Sequence, residues 1–179
     1  MQLPEVIPRT LISLRRIAIA DAPTLFAAAD HPDVMKYMDW AHPKSVSDTL
    51  THLQKADTAW AEATEFQWAI LDRITDELVG TISCRPKAHA ADFGYFLSRN
   101  HWGKGYATDA VRQVVELLFA QTEIIRVWAT ADAENNSSRR VLERAGLRLE
   151  GFMRMATLRP NLGGPPRDTA LYARCRGDA

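Results

Sequence analysis

Two glycines flank a lysine directly before an amphipathic helix, and this stretch is the part of the 179-residue sequence best suited to chemistry. Gly103, Lys104 and Gly105 precede a segment from Ala107 to Leu118 in which apolar residues recur with the helical period. Glycine lets a backbone come close to a ligand, and the first N–H groups of a helix have no partner within that helix. The helix dipole also favours negative charge at this end. We therefore predict that a phosphate-bearing ligand binds here.

Two common phosphate-binding motifs do not fit this stretch. A nucleoside triphosphate loop needs Gly-x-x-x-x-Gly-Lys-Ser/Thr, whereas Lys104 is followed by Gly105 rather than by a hydroxyl residue. A dinucleotide-binding turn needs a third glycine, and Thr108 stands at that offset. The two glycines therefore indicate a phosphate site of another kind.

Strands and helices are predicted to alternate on both sides of the loop. Runs of β-branched and aromatic residues predict strands at 10–16, 65–71, 78–84, 93–97, 124–130, 147–157 and 169–174. Helical periodicity predicts helices at 19–29, 34–38 and 45–63, from 107 onward, and after Asn135 or Asn136. We expect Asp21 to cap the first of these helices and Ser45 or Ser47 the third. Trp60, Trp68 and Trp128 are predicted to be core residues.

The loop and a second segment together resemble the GNAT N-acetyltransferase superfamily. Residues 100–107, Asn-His-Trp-Gly-Lys-Gly-Tyr-Ala, are similar to its pyrophosphate-binding loop, Gln/Arg-x-x-Gly-x-Gly/Ala. Asn135-x-x-Ser138, continued by Val-Leu-Glu-Arg-x-Gly at 141–146, is similar to its second cofactor segment. The particular residues of both motifs resemble those of the branch that includes the ribosomal-protein N-terminal acetyltransferases. Asn100 stands where the family usually has Gln or Arg, so the resemblance does not support a phosphate contact from that side chain.

The resemblance implies a fold and a reaction. The fold would be a single α/β (α+β) domain over 1–179, with its core at about 10–174. A mixed, mostly antiparallel, twisted sheet of six to seven strands would be flanked by helices. A V-shaped cofactor gap would open between the strands at 93–97 and 124–130. The chain would then be an acyltransferase that moves an acetyl group directly from acetyl-CoA to a primary amine, with no acyl-enzyme.

The same resemblance assigns residues to acetyl-CoA. The pantetheine arm would pair with the backbone at 96–97, and the pyrophosphate would rest on the N–H groups at 102–107. The full set of cofactor-binding residues is Phe96, Leu97, Trp102, Gly103, Lys104, Gly105, Tyr106, Ala107, Thr108, Asn135 and Ser138. A nearby group of arginines at 139, 140 and 144 is either a contact for the 3′-phosphate of CoA or a solvated helix face.

Two proton-transfer tasks remain, because the amine must be neutral and the departing thiolate benefits from a donor. By resemblance Ser138 donates to the thiolate; the tyrosine that many family members use is replaced here by Val141 or Leu142. Thr157 stands where the related branch has a candidate glutamate base, so that role is not carried over. The alternatives for the base are Asp92 acting through a water, His42, or solvent.

Acceptor binding is expected from Tyr37, Trp40 and His42, together with the loop at 159–166. The acceptor is either a protein N-terminus or a small-molecule amine. A non-catalytic acyl-CoA sensor, with the cofactor loop but without the proton-transfer groups, is the alternative outside catalysis.

Composition bounds the remaining possibilities. A formal net charge of +0 gives no electrostatic reason to expect nucleic acid, and no apolar run approaches the ~20 residues of a membrane span. Cys84 and Cys175 have no metal-ligand spacing, so we expect free thiols and no metal site. The N-terminus has no signal-peptide pattern, and the cytoplasm is the expected location. A homodimer is left open.

Overall fold

A computed structural model describes residues 1–8 and 11–178 of the chain. Its strands are β1 (Val6–Pro8), β2 (Ile12–Arg16), β3 (Phe66–Asp72), β4 (Leu78–Lys87), β5 (Ala90–Leu97), β6 (Arg126–Asp132), β7 (Arg148–Thr157) and β8 (Arg167–Cys175). Its helices are α1 (Ala22–Ala29), α2 (Pro32–Met35), α3 (Val46–Ala61), α4 (Tyr106–Ala120) and α5 (Asn136–Arg144). All eight strands belong to one sheet, in the order β1-β2-β3-β4-β5-β6-β8-β7.

The sheet is mixed and mostly antiparallel, as predicted, since β5 and β6 form its one parallel pair within the described chain. It contains eight strands rather than six to seven. The added strand is β1, which lies at the edge and pairs with β2, Val6 opposite Arg15. Three residues are too few to show the alternation that identifies a strand in a sequence. Position 10, where the first predicted strand began, lies outside the described residues.

Helices cover both faces of the sheet. On one face α4 buries its predicted apolar stripe, with Val111, Val114 and Leu118 fully shielded from solvent. On the other face α3 packs against β3 and α1 against β4, and Leu25 and Leu53 are buried there. Burial of each such side chain stabilises the fold by roughly 1.5–3 kcal/mol. Trp60 and Trp68 are core residues, as predicted.

The sheet splits between its two central strands. The parallel pairing of β5 with β6 ends at Asp92 opposite Trp128, whereas β5 continues to Leu97 and β6 to Asp132. Beyond the split β5 stays paired with β4, and β6 stays paired with β8. The V-shaped gap expected between these two strands is therefore present, and their facing backbone groups are left without a neighbouring strand over this length.

The first helix differs from the prediction. Ile19–Asp21 forms a 3-10 turn, and α1 begins only at residue 22. The Asp21 carboxylate makes no cap bond to α1; instead it accepts from the N–H of Ala18 at 2.8 Å and from Arg15 at 2.7 and 2.8 Å. The ion pair with Arg15 on β2 thus takes the carboxylate that was expected to cap the helix. Ser45, by contrast, caps α3 as predicted.

Candidate active site

One large cleft, of about 1250 Å³, runs from the α4 N-terminus through the gap between β5 and β6 and on to the side of the sheet covered by α1 and α3. Every predicted cofactor residue except Lys104 lines it, as do Asp92, Tyr37 and Trp40. Pockets for one drug-sized ligand usually measure ~300–1000 Å³. The cleft is therefore large enough for a long ligand and a second molecule that meets it.

The loop before α4 has the geometry of an anion site. Gly103 and Gly105 adopt positive φ angles of 77° and 84°, which glycine reaches without strain. A Cβ atom placed on Gly103 would have no protein atom within 4 Å, so the space above it is free for a ligand. Gly105 is the N-cap residue directly before α4, and no side chain caps that end, whereas α3 and α5 are both capped. The first N–H groups of α4 are thus left for a ligand.

Three side chains brace this loop against the sheet. The indole N–H of Trp102 donates to the carbonyl of Leu97 at 2.9 Å. His101 is buried and its Nδ1 lies 2.6 Å from the hydroxyl of Ser98. The Tyr106 hydroxyl donates to the Asp72 carboxylate at the end of β3. The loop is therefore fixed from both sides before any ligand binds.

The bond from Tyr106 changes the titration of both partners. It holds the pKa of Asp72 down at about 2, with further help from the backbone N–H groups of Ile74 and Thr75. The same bond raises the pKa of Tyr106 above its ordinary value. Asp72 is therefore an anion and Tyr106 a neutral phenol at any ordinary pH, and the bond between them persists.

The open edge of β5 determines which backbone groups are available for the predicted pairing with pantetheine. Phe96 and Leu97 lie past the last residue of β5 that pairs with β6, so the gap side of their backbone is accessible. The carbonyl of Leu97 already accepts from Trp102. A pairing contact with Leu97 through this carbonyl would have to share it with the indole, whereas the carbonyl of Phe96 lies on the β4 side, toward Gly80. The pairing itself stays a prediction.

Asn135 and Ser138 open α5 at the other side of the gap. Asn135 is the N-cap of the helix, since its side-chain oxygen accepts from the N–H of Ser138 at 3.1 Å. The Ser138 hydroxyl stands in the first turn, where developing negative charge is favoured. Tyr95 reaches across from β5, and its hydroxyl lies 3.0 Å from the Ser138 Oγ and 3.4 Å from the Ser138 carbonyl. Ser138 is thus held in place by a second side chain.

Tyr95 is the residue that sequence reasoning missed here. The expected tyrosine position is closed by Val141 and Leu142, but a phenol enters the site from the opposite strand. Burial raises the pKa of Tyr95 well above its ordinary value, so it remains a neutral hydrogen-bonding group. Its place in the alternation of β5, between the buried Phe93 and Leu97, was the only available signal, and that signal equally fits a core residue.

Asp92, the predicted base, lies where the gap opens and is held by Arg85. The Nε of Arg85 donates to Asp92 Oδ2 at 2.9 Å, and an Nη group donates to the same oxygen. Arg85 also contacts Glu65 at 3.3 Å. Two carboxylates and one guanidinium thus form a line of charges on the floor of the cleft. The catalytic role of Asp92 stays a prediction, with one of its oxygens already committed to Arg85.

The predicted acceptor residues separate into two groups. Tyr37 and Trp40 line the cleft, and the Trp40 ring lies 6.2 Å from that of Phe96. His42 does not line it; its ring packs edge-on against Phe26, and its Nε2 lies 3.7 Å from Asp30 in a small cavity on the outer side. The structure therefore does not bring His42 together with the other acceptor residues.

Asn161 links the two loops from which acceptor contacts were expected. Its Nδ2 donates to the carbonyls of Met35 and Trp40 at 2.8 and 2.9 Å, and its Oδ1 accepts from the N–H of His42 at 2.8 Å. The loop that follows β7 therefore holds the loop that follows α2. Residues about 120 positions apart in sequence form this contact, which is why no local pattern indicated it.

The arginines of α5 divide in a similar way. Arg139 donates to the Tyr172 hydroxyl and to the carbonyl of Ala133, so it supports the fold. Arg140 and Arg144 are exposed, lie one turn apart and line the cleft. Of the three arginines of α5, these two are the ones that line the cleft. Trp128, predicted to be core, is half-buried and also lines the cleft, because it stands where the sheet splits.

Residues 1–8 and 11–178 contain no group of three or more His, Cys, Asp or Glu side chains that could hold a metal ion. No helix among them is long and apolar enough to cross a membrane.

Comparisons with known proteins agree with this geometry. The Acetyltransferase (GNAT) domain family model matches residues 12–148. The N-acetyltransferase p20 of Bacillus licheniformis is 30% identical over 146 residues, which is 80% of this chain and 82% of that protein. The ribosomal-protein-serine acetyltransferase of Escherichia coli is 31% identical over 102 residues, 55% of each chain. The structure of the ribosomal L7/L12 alpha-N-protein acetyltransferase RimL with coenzyme A has the same fold, with a TM-score of 0.85 at 24% identity over 96% of this chain and 98% of that one.

Proposed function

The chain belongs to the GNAT acetyltransferase family, and from that premise we propose that it acetylates the α-amine of a polypeptide. As a family member it is an acyltransferase that uses acetyl-CoA. Acetyl-CoA supplies the acetyl group already activated as a thioester. The observation that carries the proposal is the continuity of the cleft, which joins the anion-binding loop, the split between β5 and β6 and the acceptor floor in a single space.

The residues of the cleft fit this donor. The positive φ angles of Gly103 and Gly105 and the uncapped start of α4 suit a pyrophosphate. The unpaired edge of β5 suits an extended chain bearing amide groups, which adds to a sheet edge like a strand. We assign the 3′-phosphate to Arg140 and Arg144, since both are exposed and line the cleft.

We assign the leaving-group proton to Ser138. Its hydroxyl stands at the N-terminal end of α5 beside the split, where a developing thiolate would gain from the helix dipole. Tyr95, through the 3.0 Å contact between the two hydroxyls, orients Ser138. A tyrosine therefore acts in this chain through the serine.

The acceptor class is supported by the charge and size of the cleft. Asp48, Glu65 and Asp92 bring carboxylates to its acceptor side, which favours an approaching ammonium group. Its volume of about 1250 Å³ leaves room for the end of a polypeptide beside the donor. The relative named ribosomal-protein-serine acetyltransferase supports the same class. A non-catalytic acyl-CoA sensor finds no support in the two relatives described above, which are both named as acetyltransferases.

A panel of acceptors tests the proposal. Purified protein and acetyl-CoA would be incubated with decapeptides that begin with Ser, Ala, Thr or Met, with spermidine and with an aminoglycoside. We expect mass spectrometry to find one acetyl group on the N-terminal residue of at least one peptide. The same peptide with a blocked N-terminus and an internal lysine is the matched control. Acetylation of the small amines alone would contradict the acceptor class, and no acetylation of any amine would contradict the reaction.

A further inference from the structure

A short chain of hydrogen bonds leads from the sheet to a histidine that has no role in the assignments above. Thr81 Oγ1 lies 2.8 Å from the carbonyl oxygen of Trp68, and Gln67 Nε2 lies 3.0 Å from Thr81 Oγ1. His52 on α3 follows, with its Nε2 3.1 Å from Gln67 Oε1. Gln67 and Thr81 are buried, while His52 is exposed, and all three line the cleft.

The direction of each bond follows from the groups themselves. A carbonyl oxygen only accepts, so the single hydroxyl hydrogen of Thr81 goes to Trp68. Thr81 must then accept from Gln67, which turns the amide nitrogen of Gln67 toward Thr81 and its oxygen toward His52. That oxygen also only accepts, so His52 donates from Nε2. In the neutral ring the basic lone pair is therefore at Nδ1.

The other candidate bases are engaged or lie elsewhere. Asp92 and Glu65 both contact Arg85, and Asp92 takes two bonds on one oxygen. His42 does not line the cleft. His101 lines it but is buried in the loop before α4, bonded through Nδ1 to a serine. His52 remains as a candidate base in the cleft. Its bond to Gln67 engages Nε2 and leaves the lone pair of Nδ1 available.

The register of the sheet places His52 near the point where the sheet splits. Gln67 lies directly opposite Ser83 on β4, and Ser83 directly opposite Gly94 on β5, which stands two residues past the last pairing with β6. Strands lie ~4.8 Å apart, so this row crosses roughly 10 Å. A Cβ atom on Gly94 would meet nothing within 4 Å, so the floor between His52 and the split is open. An amine and one water span that distance.

We propose that His52 is the general base that takes the proton of the acceptor ammonium, through Nδ1 and one intervening water. The inference rests on the proposed acetyl transfer. One N–H bond of the ammonium breaks and leaves its electron pair on the amine nitrogen, while a new N–H bond forms at Nδ1; the proton then passes to solvent. Gln67 and Thr81 are positioning residues, because they fix which nitrogen carries the lone pair.

Charged groups surround this base without replacing it. Asp48, one turn earlier on α3, accepts from the backbone N–H groups of Lys44 and Ser45. Across the cleft floor, Arg85 pairs with both Glu65 and Asp92, so that this line of charges keeps one net negative charge. Carboxylates and guanidinium groups ordinarily keep their charge between pH 5 and 8, whereas imidazole changes its charge there. The proton-transfer step should therefore follow the titration of an imidazole.

Kinetics of His52→Gln test the base. Glutamine can still donate to Gln67 but cannot take a proton, and the exposed position keeps the fold intact. With the best amine of the panel, we expect kcat/KM at pH 7 to fall by ~100-fold or more. The parent chain should lose rate at acidic pH, and this loss should be absent from the variant. Affinity for acetyl-CoA should not change. His89→Gln, at the exposed turn between β4 and β5 and outside the cleft lining, should reproduce the parent profile.

Nitrogen NMR of the free protein gives a readout that needs no acceptor. We expect the His52 ring to be protonated at Nε2 at high pH, and to lose that preference in Gln67→Leu. A ring protonated at Nδ1, or a His52→Gln variant with the parent rate and pH profile, would overturn the inference while acetyl transfer stands. Failure of the parent chain to acetylate any amine would instead overturn the proposed function, and this inference with it.

Discussion

Removal of the Tyr95 hydroxyl is the most informative perturbation of the proposed proton donor. Tyr95→Phe deletes the group that lies 3.0 Å from the Ser138 Oγ and changes nothing else in the side chain. A hydrogen bond between two neutral groups contributes about 1 kcal/mol, and 1.36 kcal/mol is a factor of ten in rate. We therefore expect kcat to fall about fivefold. KM for acetyl-CoA should stay nearly constant, because the bond acts on the orientation of the serine.

A double-mutant cycle separates this effect from general damage to the fold. Ser138→Ala alone should lower kcat by ~100-fold or more, since it removes a proton donor. In that background Tyr95→Phe should cost almost nothing further, which gives a coupling of about 1 kcal/mol. Tyr172→Phe is the matched control, because it removes a buried hydroxyl bonded to Glu143 and Arg139 on α5. Fully additive effects of Tyr95→Phe and Ser138→Ala would refute the reasoning.

Three further predictions concern the cofactor half of the cleft. Gly103→Val should abolish binding of CoA in calorimetry, because a branched side chain at φ 77° fills the space above the loop. Replacement of both Arg140 and Arg144 by Ala should weaken CoA by ~10-fold or more, as expected for lost charge-assisted bonds, and leave dephospho-CoA unaffected. Asp72→Asn should lower the melting temperature at neutral pH. The difference in melting temperature between the variant and the parent chain should shrink as the pH falls below ~4, the ordinary pKa of an aspartate. It should be lost as the pH falls through about 2, the pKa of Asp72 in the folded chain.

Each of these predictions has a control or a contrary outcome. Gly177→Val imposes the same kind of strain, at φ 93° with no atom within 4 Å, but far from the loop, so it should bind CoA normally. Equal weakening of CoA and dephospho-CoA would remove the α5 arginines from the 3′-phosphate. The Asp72 effect has this sign because a carboxyl whose pKa is lowered by folding stabilises the fold above its unfolded pKa, and that stabilisation is lost as the pH falls through its folded pKa. A difference that persists at pH 2 would contradict it.

The fold was largely predictable because its signals are local. The apolar stripe of α4, the glycines before it and the alternation of β6 each lie within about a dozen residues, and the structure has these elements. The exception among strands, β1, has only three residues and ends at a proline. Where side chains compete, as for Asp21, the sequence shows a cap but the structure shows an ion pair with Arg15.

The acceptor side could not be predicted because its contacts join distant segments. Tyr95 meets Ser138 across the split in the sheet, and Asn161 holds the loop around Trp40. His42 was chosen for its residue type and its neighbours in sequence, yet its ring turns outward. His52 was not chosen, because one histidine on a helix gives no pattern until the sheet places Gln67 beneath it. The residue types indicated which chemistry is possible. Only the pairing of the strands and the contacts between distant loops showed which residues lie together.

Calorimetric titration of the purified protein with acetyl-CoA, in the absence of any acceptor, tests the central claim most directly. We propose that the loop at Gly103 and Gly105, the uncapped α4 and the open edge of β5 hold this donor in the cleft. The account predicts binding of one acetyl-CoA per chain with micromolar affinity, and its loss in Gly103→Val. No binding by the parent chain, or equal binding by the variant, would contradict the assignment of the loop and of the reaction built on it.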